Sequence, residues 1–131
     1  MAWVEVFALF VVCHLAGDYL LQTEWQATNK RGGLGTDPVK RRALVSHVVT
    51  YTLAFVPALV WLAEDLDALA VAGLIAGIAL PHLVQDDGRL LARYIATVKK
   101  ADAASNPSVA AAVDQSFHFL TLLLLALAAG T

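Results

Sequence analysis

The stretch FVVCHLAGDYLLQTEW, Phe10–Trp25, sets a histidine, an aspartate and a glutamine at four-residue intervals along an apolar run. Residues i and i+4 lie one above the other on a helix, about 6 Å apart along the axis, so His14, Asp18 and Gln22 share one stripe. The run from Ala2 to Gln22 is long enough to cross a hydrocarbon core, which takes about 20 helical residues. Burying polar groups at that depth costs free energy, so the fold must bring something to meet them.

Three more segments have the same character: Ala43–Ala63, Leu66–Gln85 and Val109–Ala129. The chain is 59% apolar and 15% charged, against about 25% charged in soluble proteins. Its 131 residues suit one compact unit. The sequence therefore predicts an all-α polytopic membrane protein, a single four-transmembrane-helix bundle over 1–131. The N-terminus, Met-Ala-Trp-Val-Glu, lacks the basic region of a cleaved signal peptide, so the first span is expected to be retained. The single Cys13 excludes an intrachain disulfide framework and is expected to pack as a small apolar residue.

Charge orients the bundle. All nine Lys and Arg residues lie in two connectors: Lys30, Arg31, Lys40, Arg41 and Arg42 in the first, Arg89, Arg93, Lys99 and Lys100 in the third. The short middle connector, Glu64–Asp67, is acidic. Basic connectors stay in the cytoplasm during insertion, so both termini are expected outside a bacterial inner membrane. Trp3 and Trp61 then mark the outer interface and Trp25 the inner one. In the third connector Leu90, Leu91, Tyr94, Ile95 and Val98 recur at helical spacing opposite Arg93, Lys99 and Lys100. That pattern fits an amphipathic helix on the inner surface, or an extension of the third span.

TDP at Thr36–Pro38 and SNP at Ser105–Pro107 each offer a capping side chain before a proline at a first helical position. RGGLG at Arg31–Gly35 reads as a flexible turn without a phosphate-loop pattern. Pro81 and Pro57 are expected to bend the third and second helices, and Gly73–Gly77 to mark close helix packing. HLAGD at His14–Asp18 resembles HLVQD at His82–Asp86, a faint tandem repeat of two helices over about 1–65 and 66–131.

The four histidines fall one per span. Three have an aspartate four residues away: His14 with Asp18, His82 with Asp86, and Asp114 with His118. His47 has Tyr51 at the same spacing. Three such pairs arise by chance on the order of one per cent or less. All eight side chains fall in the cytoplasmic half, with Asp18, His47, Asp86 and Asp114 in a layer near the surface and His14, Tyr51, His82 and His118 deeper. With every Lys and Arg in a connector, three buried carboxylates need another counter-charge. Imidazole and carboxylate suit a divalent transition metal, zinc first, then manganese or iron. The seven candidate ligands, His14, Asp18, His47, His82, Asp86, Asp114 and His118, suit one or two ions. Gln22 and Gln115 are placed to support the ligands by hydrogen bonds. A lone intramembrane histidine or aspartate often only hydrogen-bonds a neighbouring helix, for about 1 kcal/mol. Tyr51 can ligate, donate a proton or simply pack.

These residues, HLAGDYLLQTEW, the isolated histidine of the second span, HLVQD and DQSFH, resemble the domain of unknown function 3307 family. That family comprises small bacterial integral-membrane proteins without an assigned reaction. The resemblance runs from His14 to His118 and implies His14, Asp18, Gln22, His47, His82, Asp86, Asp114, Gln115 and His118 as a set. Tyr19 stands where an aromatic residue, often Phe, is expected. The pattern is also similar in style to bacterial membrane-bound metal-dependent hydrolases.

The resulting expectation is a metal-dependent hydrolase of an amphiphilic, anionic ester or phosphoester near the cytoplasmic face. Asp18, Asp86 or Asp114 would serve as base and Tyr51 would steady developing charge. A cation or proton transporter using the same cluster is the first alternative, and a di-iron-type redox enzyme the second. Transport meets the almost wholly apolar outer halves, such as Leu120–Ala129, which argue against a continuous pore in one monomer, though a homo-oligomer could enclose one. A net charge of −2, with the basic residues explained by topology, excludes nucleic acid as the expected partner.

Overall fold

The computed structural model describes residues 1–130, which are helical with no strand among them. Helix α1 (Trp3–Leu15) widens into a π-helical turn (Ala16–Leu20); α2 (Glu24–Asn29), α3 (Pro38–Ala54) and α4 (Val56–Leu62) follow. After these come α5 (Ala68–Asp87), α6 (Arg89–Thr97) and α7 (Pro107–Ala129). Among the described residues, α1 with its π turn, α5 and α7 are each long and apolar enough to cross a membrane. Helices α3 and α4 form a fourth such rod if the pair, bent by 45°, is one span. The second helix thus begins at Pro38, ahead of the apolar run from Ala43, as the Thr36–Pro38 capping pattern predicts. Large apolar side chains face outward along all four rods, for example Val12, Leu53, Leu80 and Leu124.

The bend falls at Phe55, whose amide bonds Thr52 O at 3.0 Å, just before Pro57 in the first turn of α4. Proline has no N–H to carry the ladder across that point. Pro81, by contrast, lies inside α5 without interrupting it. Its missing N–H leaves the carbonyl of Gly77, four residues back, without a helical donor. Gly77 is also where α5 meets α7: a Cβ there would stand 2.5 Å from Leu125 Cδ2, whereas one on Gly73 would touch nothing within 4 Å. Of the expected small-residue contact, Gly77 alone packs.

Asp37 caps α3 by accepting from the amides of Val39 and Lys40, with Pro38 at the first position. Asn106 makes no equivalent side-chain cap. Its amide donates to Asp102 O, and the turn is built instead by the Asp102 carboxylate, which accepts from Ser105 Oγ and Ser105 N. Those bonds hold Asp102 below the usual carboxylate range. Gly88, at φ +78°, ends α5 and starts α6, so the amphipathic segment is a separate helix and not an extension of the third span. Leu91 and Ile95 bury against Ala110 of α7, while Leu90 and Val98 stay exposed.

One core fills the half of the bundle distant from the basic connectors, with Val6, Phe10, Phe55, Leu62, Ile78, Leu122 and Ala126 among its members. Phe10 and Phe55 meet edge to face at 5.7 Å, and Cys13 packs there as expected.

Candidate metal centre

The four rods deliver their polar groups to one layer. In the π turn an extra residue widens the helix, and Gly17 lets it lie against α3. A Cβ at Gly17 would stand 2.7 Å from Tyr51 Cδ2 and 3.3 Å from Tyr51 Cα. Asp18 is thereby carried to His47 of α3. His47 Nε2 lies 3.1 Å from Asp18 Oδ1 and 2.9 Å from Asp86 Oδ2. His82 Nε2 lies 3.4 Å and 3.2 Å from the same two oxygens, and 3.1 Å from His47 Nε2. Those are five of the six edges of a tetrahedron. A metal with ligands at about 2.0–2.1 Å would set such edges at about 3.3–3.4 Å.

The four ligand atoms lie close enough together to hold a metal ion. A neutral imidazole nitrogen holds at most one proton, yet His47 Nε2 faces two carboxylates and a second imidazole nitrogen at once. All four residues are buried. The Nδ1 atoms of His47 and His82 have no protein hydrogen-bond partner; the His82 ring is held by stacking on Tyr51 at 3.4 Å.

A second group adjoins the first through Asp86. Ligand atoms of Asp86, Asp114 and His118 lie within 4.8 Å of one another, as do those of Asp18, His47, His82 and Asp86. His118 Nδ1 donates to the Asp114 carbonyl at 2.7 Å. In the neutral ring this leaves Nε2 with a lone pair towards Asp86 Oδ1, 3.4 Å away. A proton on Nε2 or a metal ion between the two atoms would each satisfy that placement.

One expectation is corrected. Lys30 is not confined to its connector: its Nζ donates to Asp86 Oδ2 at 2.5 Å, so a counter-charge does reach the layer. The long lysine stem spans the distance while the ammonium keeps polar company. The connector that carries it is docked rather than free. Gly32 N donates to Asp87 O at 2.8 Å, and Leu34 N donates to the Asp87 carboxylate, which Arg89 also binds. Both basic connectors therefore meet at the His/Asp end of the bundle. Helix α2 completes the support, with Gln26 Nε2 donating to Ser46 Oγ.

His14 belongs to neither group. Its Nε2 faces Gln115 Oε1 at 2.9 Å and its Nδ1 faces the Tyr51 hydroxyl at 2.9 Å. An amide oxygen only accepts, so Nε2 carries the proton and Nδ1 accepts from Tyr51. Gln115 Nε2 in turn donates to Asp114 Oδ2 at 3.4 Å. His14 and Tyr51 thus sit behind the ligands, and the Tyr51 hydroxyl is committed to His14. The two-layer expectation shifts accordingly: His82 reaches the layer of Asp18 and His47. Gln22 donates to the Asp18 carbonyl.

A polar cavity of about 220 Å³ opens onto this layer, lined by Asp18, Gln22, Lys30, Arg31, Asp86 and Asp114 among others. Lys30, Arg31 and Asp87 were missed as partners of the site. The doubled acid at the end of the third span, facing a basic connector, was their only signal.

From residue 6 to residue 131 the chain matches a family model described as a protein of unknown function, DUF3307. The chain belongs to that family. No curated protein and no solved structure matches it. The match takes in every residue of both candidate groups, so the centre lies wholly inside the region that defines a DUF3307 protein.

Proposed function

We propose that this DUF3307 protein is a membrane-embedded metalloprotein that binds two divalent transition-metal ions, zinc foremost, and hydrolyses an amphiphilic ester or phosphoester at the cytoplasmic face. The observation that carries the reading is the sharing of Asp86 between two ligand groups. One carboxylate with an oxygen towards each group is how neighbouring ions are bridged. Asp18, His47 and His82 complete the inner group; Asp114 and His118 complete the outer one. A metal ion would supply a bound water with its pKa lowered to about 7. The protein's part is to hold the ligands, exclude bulk water with the apolar core behind, and leave Asp114 at the open side. Asp18 and Asp86 are buried, whereas the Asp114 side chain is 21% exposed, on the cavity from which water and substrate would arrive.

The four apolar rods and the gathering of both basic connectors at the site end support a span orientation with that end in the cytoplasm. A cation carrier would need a second entrance. The other half of the bundle is filled by Val6, Phe10, Phe55, Leu62 and Ile78, which favours hydrolysis over transport.

Elemental analysis of detergent-purified protein tests the reading, wild type beside His82→Ala and Asp114→Asn. At least one equivalent of transition metal is expected in the wild type and a substantial loss in both variants. Hydrolysis of p-nitrophenyl phosphate should disappear on chelation and return with metal. Metal below a tenth of an equivalent, with no rebinding, removes the metal centre; tight binding without hydrolysis of any ester removes the enzyme.

A further inference from the structure

The polar cavity does not end at the metal groups. It meets an apolar groove of about 600 Å³ between α5, α6 and α7, walled by Leu80, Val84, Leu90, Tyr94 and Phe117. The two share Gln85, Leu91 and Asp114 as their common border. Asp114 is thus the one carboxylate that borders both the polar cavity and the apolar groove. The border is fixed: Gln85 Nε2 donates to Thr121 Oγ1 at 2.9 Å and to the Phe117 carbonyl. Tyr94 meets Phe117 edge to face at 5.0 Å, so α6 is clamped over the groove instead of floating beside it.

Charge at the polar end selects the headgroup. Asp18, Asp86 and Asp114 face Lys30 and Arg31 there, so the empty cavity is negative by one charge, and the first divalent ion makes it positive. Arginine matches phosphate by paired hydrogen bonds, and Arg31 is exposed at the rim. A free phosphate ester would use the polar cavity only. A molecule with a hydrocarbon chain fills both compartments, and its chain enters sideways without leaving the lipid phase.

We infer that the cleft takes one lipid whose headgroup is a bare anionic phosphomonoester, and not a zwitterionic diester, its chain in the groove between α5, α6 and α7 and its phosphate against Lys30 and Arg31. The inference rests on the metal reading for the sign of the cavity's charge, and it narrows the substrate to that lipid class.

The test uses the metal-loaded full chain in phosphatidylcholine nanodiscs carrying a trace of phosphatidic acid with a diazirine on its acyl chain. Cross-linked residues are mapped by peptide mass spectrometry, and metal content is measured on the same sample. Labelling is expected at Leu80, Val84, Leu90 and Phe117 above the level at Val12, Val60 and Leu124, which face lipid elsewhere. Arg31→Ala should lower the groove signal about tenfold, the worth of one charge-assisted hydrogen bond. Val84→Trp, which fills the groove, should abolish it, and a diazirine phosphatidylcholine should label all outward positions alike. Even labelling by the phosphatidic acid probe, or a signal indifferent to Arg31→Ala, overturns the lipid site. If metal is bound in that case, the metal centre stands alone. Selective groove labelling of a protein that binds no metal supports the lipid site and overturns the metal reading.

Discussion

Replacing Asp86 by asparagine should empty both ion positions, whereas Asp18→Asn and Asp114→Asn should each empty one. Asp86 is the only residue common to the two groups; its Oδ2 lies 2.9 Å from His47 Nε2 and its Oδ1 3.4 Å from His118 Nε2. Loss of a contact that merely supports a ligand weakens metal binding about 10–100-fold. Loss of a ligand itself should therefore exceed about 100-fold, or about 2.7 kcal/mol, at each position. The same change strands the Lys30 ammonium, whose partner side chain is 2% exposed. Breaking such a pair costs the apo protein about 3 kcal/mol. The double variant Lys30→Gln, Asp86→Asn removes both charges, so it should recover most of the apo melting temperature and none of the metal. Chelator-competition titrations and metal-free thermal melts read the two effects separately. Retention of either ion at wild-type affinity in Asp86→Asn would refute the bridging assignment. So would loss of both ions from Asp18→Asn and Asp114→Asn alike.

Gln115→Leu cuts the link from His14 to Asp114 and should weaken the outer ion about 10–100-fold while leaving the inner ion, as calorimetric titration would resolve. Gly33→Ala sets a Cβ 2.5 Å from Leu44 Cβ and 2.7 Å from Lys40 O, which should cost about 1–3 kcal/mol by overpacking. Gly73→Ala enters open space and should be neutral or stabilising by about 0.5–1 kcal/mol; melts of the two variants check the pair. In a Cys13→Ser background, Asp65→Cys should react with an impermeant maleimide added outside intact cells and Leu34→Cys only after lysis. The reverse pattern would invert the orientation.

The histidine and aspartate spacing exposed the stripe on each rod but not who meets whom across it. The pairs legible at four-residue spacing are loose for His14 with Asp18 and for His118 with Asp114, both 3.8 Å. His82 and Asp86 do meet within one helix at 3.2 Å, but the other short contacts run between helices, from His47 to Asp18 and Asp86, and depend on helix rotation that composition does not encode. Lys30 escaped because a charged residue in a basic connector reads as topology, and only the docking of Gly32 and Leu34 on Asp87 brings its stem within reach. His14 looked like a ligand by type and depth. It faces Gln115 and Tyr51 instead, partners about which spacing within its own segment says nothing. The bend at Phe55 was legible from Pro57, whose missing donor falls at the break, whereas Pro81 lacks the same donor inside a continuous α5.

The widened turn at Ala16–Leu20 has a consequence for how this protein tolerates insertion and deletion. It holds one residue more than an ordinary helical turn of the same height. Deleting a single apolar residue there would let the segment close to an ordinary α-helix with the residues on either side still near their present faces. The same deletion in the regular part of α1 would turn the two halves of the rod by about 100° against each other and take Val6 or Phe10 off the core. A length change of one position should therefore be better tolerated at the widened turn than in the regular helix before it.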